Sequence, residues 1–205
     1  MNRRVVGLAV TALAASLAPS SAEIVDKVLA IVGPRVITLS DARAAITFGV
    51  LRPTAGADPI AEATVYLVNR QLMLGEVDRY AAPPPAPALL QKRLDAMRGR
   101  FSAAELLAAL EATAMTEARL TDLVADTIRI ESYLDQRFNA AAQPTADEVQ
   151  RFYRDHTADF SVGGRVLPFE EVRPQVQSRL MSERRSALIA EWLDRLRRRT
   201  PVAIR

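Results

Sequence analysis

VLAIVGPRVITL, at positions 28–39, holds two short runs rich in β-branched residues on either side of a Gly33-Pro34 turn. Such a pattern predicts a β-hairpin. An isolated hairpin is only marginally stable in water, so this one needs a further strand. The apolar residues at positions 202–204 are typical of such a strand. We therefore predict that residues 202–204 pair with the hairpin and that the two ends of the folded chain meet.

The rest of the chain shows the apolar periodicity and the capping residues of amphipathic helices. Ser40 is the expected cap of the first helix, and Asp58-Pro59 marks the start of the second. Helices are predicted at residues 41–50, 59–80, 88–98, 116–138 and 174–199, and capping boxes start two more at Ser102 and Thr145. The predicted fold class is therefore mainly α: a helical module whose small β element joins the N-terminal hairpin to a C-terminal strand.

Residues 1–22 have the three parts of a secretory signal peptide. Arg3 and Arg4 give a positive start, an uncharged run follows at positions 5–17, and small residues precede the expected cleavage after Ala22. The apolar run is shorter than the ~20 residues that cross a bilayer as a helix, so cleavage is favoured over an uncleaved membrane anchor. We expect residues 23–205 to form a single exported domain without stable membrane insertion.

Composition excludes several classes of function. The formal net charge is +3, and removal of Arg3 and Arg4 leaves +1, so nothing favours binding to nucleic acid. The sequence contains no cysteine, which rules out disulfides and a thiol nucleophile, and His156 is its only histidine. Gly163-Gly164 lacks the lysine and the helix start of a phosphate-binding loop. We therefore expect no enzymatic activity, no cofactor and no metal.

Three segments resemble the SurA-type periplasmic chaperones. Residues 24–41, IVDKVLAIVGPRVITLSD, are similar to the family's opening strand, turn and first helix. Residues 144–160, PTADEVQRFYRDHTADF, and residues 169–180, FEEVRPQVQSRL, are similar to a later helix and to the family's closing helix. Members normally carry one or two parvulin-type prolyl isomerase domains between these last two motifs, where this chain has only residues 161–168. The resemblance therefore implies a periplasmic chaperone module without the isomerase domain, with the hairpin and the final strand in one core.

The same resemblance implies a holdase that binds unfolded envelope proteins, outer-membrane proteins among them, in a groove between helices. Phe48, Met97, Phe101 and Met115 are the candidate groove residues, since apolar and flexible side chains adapt to varied partners. Ordinary core packing is the alternative for each, because stripes at helical spacing are usually core. A second hypothesis is an exported assembly or structural subunit that grips one folded partner. A third, an active prolyl isomerase, is disfavoured because the isomerase domain is missing, and the oligomeric state stays open.

Overall fold

The computed structural model describes residues 26–205. Strands β1 (Val28–Val32) and β2 (Arg35–Thr38) form the predicted antiparallel hairpin, with Gly33 in its turn at φ +54°, a conformation that favours glycine. Strand β5 (Val202–Ile204) pairs antiparallel with the other side of β1, so the strand order is β2-β1-β5. The predicted pairing of the hairpin with residues 202–204 is confirmed. The signal peptide predicted at residues 1–22 lies outside the described residues.

Seven α-helices account for most of the described residues, so the predicted mainly α class is confirmed. They are α1 (Leu39–Thr47), α2 (Pro59–Arg79), α3 (Pro87–Arg98), α4 (Ala103–Ala112), α5 (Glu117–Ala142), α6 (Ala146–Asp155) and α7 (Phe169–Arg199). Between α6 and α7 lie a 3-10 turn (Thr157–Phe160) and a small hairpin of β3 (Ser161–Val162) and β4 (Arg165–Val166), where the sequence indicated only a connection. None of the seven helices is both long enough and apolar enough to span a membrane.

The first helix begins earlier than predicted, because its cap is Thr38 and not Ser40. The Thr38 hydroxyl accepts a hydrogen bond from the backbone N–H of Asp41 at 3.3 Å, and the Asp41 carboxylate accepts one from the Thr38 N–H at 3.0 Å. This reciprocal arrangement is a capping box. Since Thr38 is also the last residue of β2, the strand passes into α1 without a loop. The backbone N–H of Ser40 donates instead to the carboxylate of Asp26 at 3.2 Å.

The closing helix also begins earlier than predicted, at Phe169 and not at Pro174. Proline inside a helix removes one hydrogen bond and costs about 3 kcal/mol. Burial of apolar side chains offsets this cost. Val172 and Val176 are 1% and 0% exposed, and they pack in one apolar cluster with Val149 of α6. Each fully buried valine contributes about 1.5–3 kcal/mol, which is enough to carry the helix through the proline.

The main core joins the sheet to α2, α5 and α7. Trp192 of α7 is 3% exposed and lies against Tyr133 and Phe138 of α5, with ring-centroid distances of 5.8 and 5.6 Å. Val68 and Leu72 of α2 belong to the same cluster, together with apolar residues of β1 and β2. Helix α2 therefore contacts both the hairpin and α5, and it places β2 close to α5.

An ion pair fixes the end of α7 to α2. Glu76 of α2 is only 5% exposed, and its carboxylate forms a salt bridge with Arg199 at the end of α7. A second arginine, Arg79, lies 3.4 Å from the same carboxylate. Because β5 follows α7 directly, this ion pair also helps to hold the third strand in place.

Candidate functional site

The four candidate groove residues lie in one apolar cluster. Phe48 caps the C-terminal end of α1 and is 0% exposed, while Met97, Phe101 and Met115 are partly buried around it. The rings of Phe48 and Phe101 are 5.9 Å apart. The cluster fastens α1 to the segment from α3 to the start of α5. Phe48 is thus a core residue, and the other three lie closer to the surface.

These four residues do not line one common groove. Phe48 and Met97 border a cavity of about 350 Å³ between α1, α3 and α5, whose lining also includes Arg93 and Glu131, a salt-bridged pair at 2.9 Å. Met115 borders a different cleft, on the side of α5 that faces β2. A role for the four in binding a client stays a prediction.

The cleft beside Met115 runs along the edge of strand β2. Its volume is about 250 Å³, and its lining includes three successive residues of the strand, Arg35, Val36 and Ile37. Successive side chains of a strand point to opposite faces of the sheet. A cleft that touches all three therefore lies along the strand's edge and not over one of its faces.

An adjacent cavity of about 630 Å³ extends this cleft between α2 and α5 as far as Pro84 and Pro85, in the connection to α3. The two cavities share the lining residues Arg35, Gln71, Leu74, Asp122 and Asp126. We call the combined depression the β2 groove. Its lining residues are those of the two cavities, with α2 on one side and α5 on the other.

The β2 groove combines apolar side chains with a free strand edge. Leu67 and Leu74 of α2 and Leu123 of α5 line it, and Val36 of β2 is 51% exposed. Within the described part of the chain, β2 pairs with β1 alone and has no partner on its outer side. An unpaired edge presents backbone N–H and C=O groups to which an extended chain can add as a further strand.

A buried arginine, Arg70 of α2, also belongs to the groove lining. Arg70 is 5% exposed; its Nη1 donates to the hydroxyl of Thr127 at 3.0 Å and its Nη2 to the carbonyl of Leu123 at 2.8 Å. No described carboxylate lies within salt-bridge distance of it, although several other arginines of the protein are paired. A buried charge without a counter-ion is costly, so this guanidinium is unusual.

The other charged groups around the groove are mostly neutralised. Arg119 lies 3.1 Å from Asp41, while Arg129 lies 3.3 Å from Asp126 and 2.7 Å from Asp78. The hydrogen bond to Asp78 raises the pKa of Arg129 above its usual value, so this guanidinium stays charged. The charges at the rim of the groove are therefore mostly paired, whereas the buried guanidinium of Arg70 has no described carboxylate partner.

Sequence reasoning did not identify the β2 groove or Arg70. One feature of the sequence does point to the arginine: Leu67, Arg70 and Leu74 are spaced three and four apart, so they share one face of α2. An arginine within an apolar stripe is a departure from the amphipathic pattern. The groove itself arises from the tertiary contact of β2 with α2 and α5, for which the sequence shows no local pattern.

His156, the only histidine of the sequence, contacts Phe152. His156 stacks on Phe152 at 4.1 Å between ring centroids, and its Nδ1 lies 2.9 Å from the Phe152 carbonyl oxygen. Among residues 26–205, no three His, Cys, Asp or Glu side chains lie together as a metal site would need. The β2 groove, with an unpaired strand edge, apolar side chains and a buried arginine, is the candidate site of the described chain.

Comparison with known proteins gives no assignment, since no family model matches the chain and no curated protein matches it. The similarity to SurA-type chaperones accordingly rests on the three sequence motifs.

Proposed function

We propose that the protein is a periplasmic holdase that binds extended segments of unfolded envelope proteins in the β2 groove. The observation that carries this proposal is the open edge of β2 beside an apolar cleft. The similarity of three segments to SurA-type chaperones supports the same function, and the signal-like residues 1–22 support an exported location. In this proposal the protein does not catalyse prolyl isomerisation.

Strand addition is suited to binding many different clients. The backbone N–H and C=O groups are the same in every polypeptide, so pairing with β2 does not depend on the client's sequence. Each hydrogen bond contributes only about 0.5–1.5 kcal/mol net, because it replaces bonds to water. A strand as short as β2, with four residues, therefore favours weak and reversible binding. Such binding keeps an unfolded chain from aggregating without trapping it.

The apolar lining of the groove adds affinity for segments that are prone to aggregate. Leu67, Leu74 and Leu123 offer apolar surface, and Met115 adds a flexible side chain that can repack against different partners. Burial of client side chains there contributes about 25 cal/mol for each Å² of apolar surface removed from water. Apolar segments of unfolded membrane-barrel strands, which are extended, match this surface in shape and chemistry.

Aggregation of a denatured outer-membrane protein on dilution tests the proposal. Light scattering is recorded with increasing amounts of the purified protein, its variant Val36→Lys, and the control Leu107→Lys. Lysine on an edge strand discourages strand addition, whereas Leu107 is 60% exposed on α4, outside the groove. We expect Val36→Lys to need about tenfold more protein for the same suppression, equivalent to about 1.4 kcal/mol, and Leu107→Lys to behave as wild type.

Two outcomes would contradict the proposal. Absence of suppression at molar excess would exclude a holdase. Tight one-to-one binding to a single folded protein, without suppression, would instead favour an assembly subunit.

A further inference from the structure

Arg70 is the one charged group of the β2 groove that is both deeply buried and without a described carboxylate partner. A guanidinium has five N–H donors, and the bonds to Thr127 and Leu123 use two of them. Both acceptors are neutral oxygens. Arg70 thus has no described carboxylate at salt-bridge distance, at a position that lines a cleft open to solvent.

No other charged residue of the lining forms a salt bridge with this cation. Asp41 and Asp126 are held by Arg119 and Arg129. Asp122 is exposed and has no described ion-pair partner, and the same holds for Arg35 at the start of β2. Arg129 is shared by Asp126 and Asp78, so the charged residues of the lining balance in number, and Arg70 differs from the others in being a buried cation with no described carboxylate at salt-bridge distance. An incoming carboxylate would supply the counter-ion and form charge-assisted hydrogen bonds.

The neighbours of Arg70 on α2 suggest the pattern of the ligand. Leu67 and Leu74 lie about 4.5 and 6 Å from Arg70 along the helix axis, on either side of it. In a strand, residues that share one face are about 6.7 Å apart. Because α2 packs under the hairpin, a strand added to β2 would present alternate side chains to this face of α2. For an added strand that ran along α2, an acidic side chain at Arg70 would have its same-face neighbours near the two leucines.

We propose that the β2 groove selects extended segments in which an acidic side chain is flanked, two positions away on each side, by apolar residues, and that Arg70 binds the acidic carboxylate. The inference rests on the proposed function, in which the groove binds extended polypeptides. It adds a specificity determinant to that function. The holdase would accept many sequences but favour those with this alternating pattern.

Three nine-residue peptides with an uncharged fluorophore test the inference by fluorescence anisotropy. The first has a central Glu with Leu two positions away on each side and blocked termini. The second replaces the Glu by Gln. The third has the Gln and a free C-terminal carboxylate, which distinguishes an acidic side chain from a chain terminus. Each is titrated with the wild-type protein and with the variants Arg70→Met, Arg70→Lys and Arg43→Met.

The variants separate charge from packing. Arg70→Met removes the charge but retains side-chain length, and Arg70→Lys retains the charge without the planar fork. Arg43 is an exposed arginine of α1 outside the groove lining, so Arg43→Met is the matched control for a loss of one positive charge. Far-ultraviolet circular dichroism and the fluorescence of Trp192 establish that each variant is folded.

We expect wild type and Arg43→Met to bind the Glu peptide about tenfold more tightly than the Gln peptide, and Arg70→Met to bind both within about twofold. Arg70→Lys should keep part of the preference. Equal binding of the Glu and Gln peptides by wild type would overturn the inference while leaving the holdase intact, and this comparison needs no variant to fold. A preference that appears only with the free C terminus would overturn it in favour of terminal recognition. Failure of all three peptides to bind would reject the groove as a peptide site altogether.

Discussion

The ion pair between Glu76 and Arg199 makes a quantitative prediction about the attachment of α7. The change that tests it is Arg199→Met, compared with Glu76→Gln and with the double variant. The carboxylate of Glu76 has a side-chain exposure of 7%, whereas Arg199 is 45% exposed. The two partners are therefore unequal: loss of the arginine leaves a buried anion, but loss of the carboxylate leaves a cation that water can reach.

The magnitudes follow from this asymmetry. Breaking a fully buried pair costs about 3–5 kcal/mol, and partial exposure of Arg199 reduces the expected cost of Arg199→Met to about 2 kcal/mol. Arg79, at 3.4 Å, remains to compensate part of the charge. Glu76→Gln should cost about 1 kcal/mol, since the neutral amide avoids a buried charge and still accepts a hydrogen bond. For the double variant we expect the free energy of unfolding to fall by about 1.5 kcal/mol. This is less than the sum of the two single losses, and the difference is a coupling energy of about 1.5 kcal/mol.

Urea denaturation, monitored by the fluorescence of Trp192, measures these values. Trp192 is the only tryptophan of the sequence and lies in the core that joins α5 to α7, so its emission reports the loss of that core. Arg198→Met is the control, because Arg198 precedes Arg199 in the same helix end and is exposed. If Arg199→Met changed stability no more than Arg198→Met, within about 0.5 kcal/mol, the ion pair could not be what holds α7 to α2.

Two further predictions concern the core and the helix α6. Hydrogen bonds from Arg184 and from Thr145 lower the pKa of Glu148 from 4.5 to about 2, so its stabilising contribution is fully present above pH 4.5 and is lost as the pH falls toward 2. The urea midpoint of wild type should therefore exceed that of Glu148→Gln at pH 6 and converge with it near pH 2; a constant difference across this range would contradict the assignment. Phe48→Ala should lower the free energy of unfolding by about 3–5 kcal/mol, because Phe48 is 0% exposed. A loss below about 1 kcal/mol in urea denaturation would show that Phe48 is not a core residue.

Local sequence patterns predicted the parts of the fold that depend on local chemistry. Asp58 caps α2, and the capping boxes at Ser102 and Thr145 start α4 and α6, as their spacing indicated. In each case the side chain bonds to a backbone group no more than three residues away, so the pattern is complete within one turn. The pairing of residues 202–204 with the hairpin is a long-range feature, yet it followed from the instability of a lone hairpin.

Some of the differences from the sequence-based predictions occurred where tertiary contacts overrode local preference. Burial of Val172 and Val176 extends α7 through Pro174, which the sequence marked as a helix start. The hairpin of β3 and β4 has only two residues in each strand, too few to show an alternating pattern, and its turn relies on Gly163 and Gly164 at positive φ. The β2 groove depends on how the strand's edge lies against two helices that are distant in sequence.

The candidate groove residues rest on composition, and their role in binding stays a prediction. Met and Phe are candidates because of their adaptable or large apolar surfaces, and the structure gathers these four residues into one cluster in which Phe48 is fully enclosed. Their grouping followed from ordinary apolar packing, which needs no ligand. Arg70, by contrast, donates only to neutral oxygen atoms, and neither contact accounts for a charged residue at this position. The proposed binding surface therefore starts from a residue that breaks the expected pattern.

The placement of β5 beside β1 has a consequence for folding kinetics. The two strands are separated by residues 33–201, so the sheet gains its third strand only after nearly all of the intervening helices have found their places. Contacts at such sequence separation raise the contact order and slow folding relative to a bundle with neighbouring helices. Closure of so long a loop costs only slightly more entropy than closure of a shorter one. The docking of β5 is thus expected late in folding, and hydrogen exchange at the β1 N–H groups that face β5 would become slow only then.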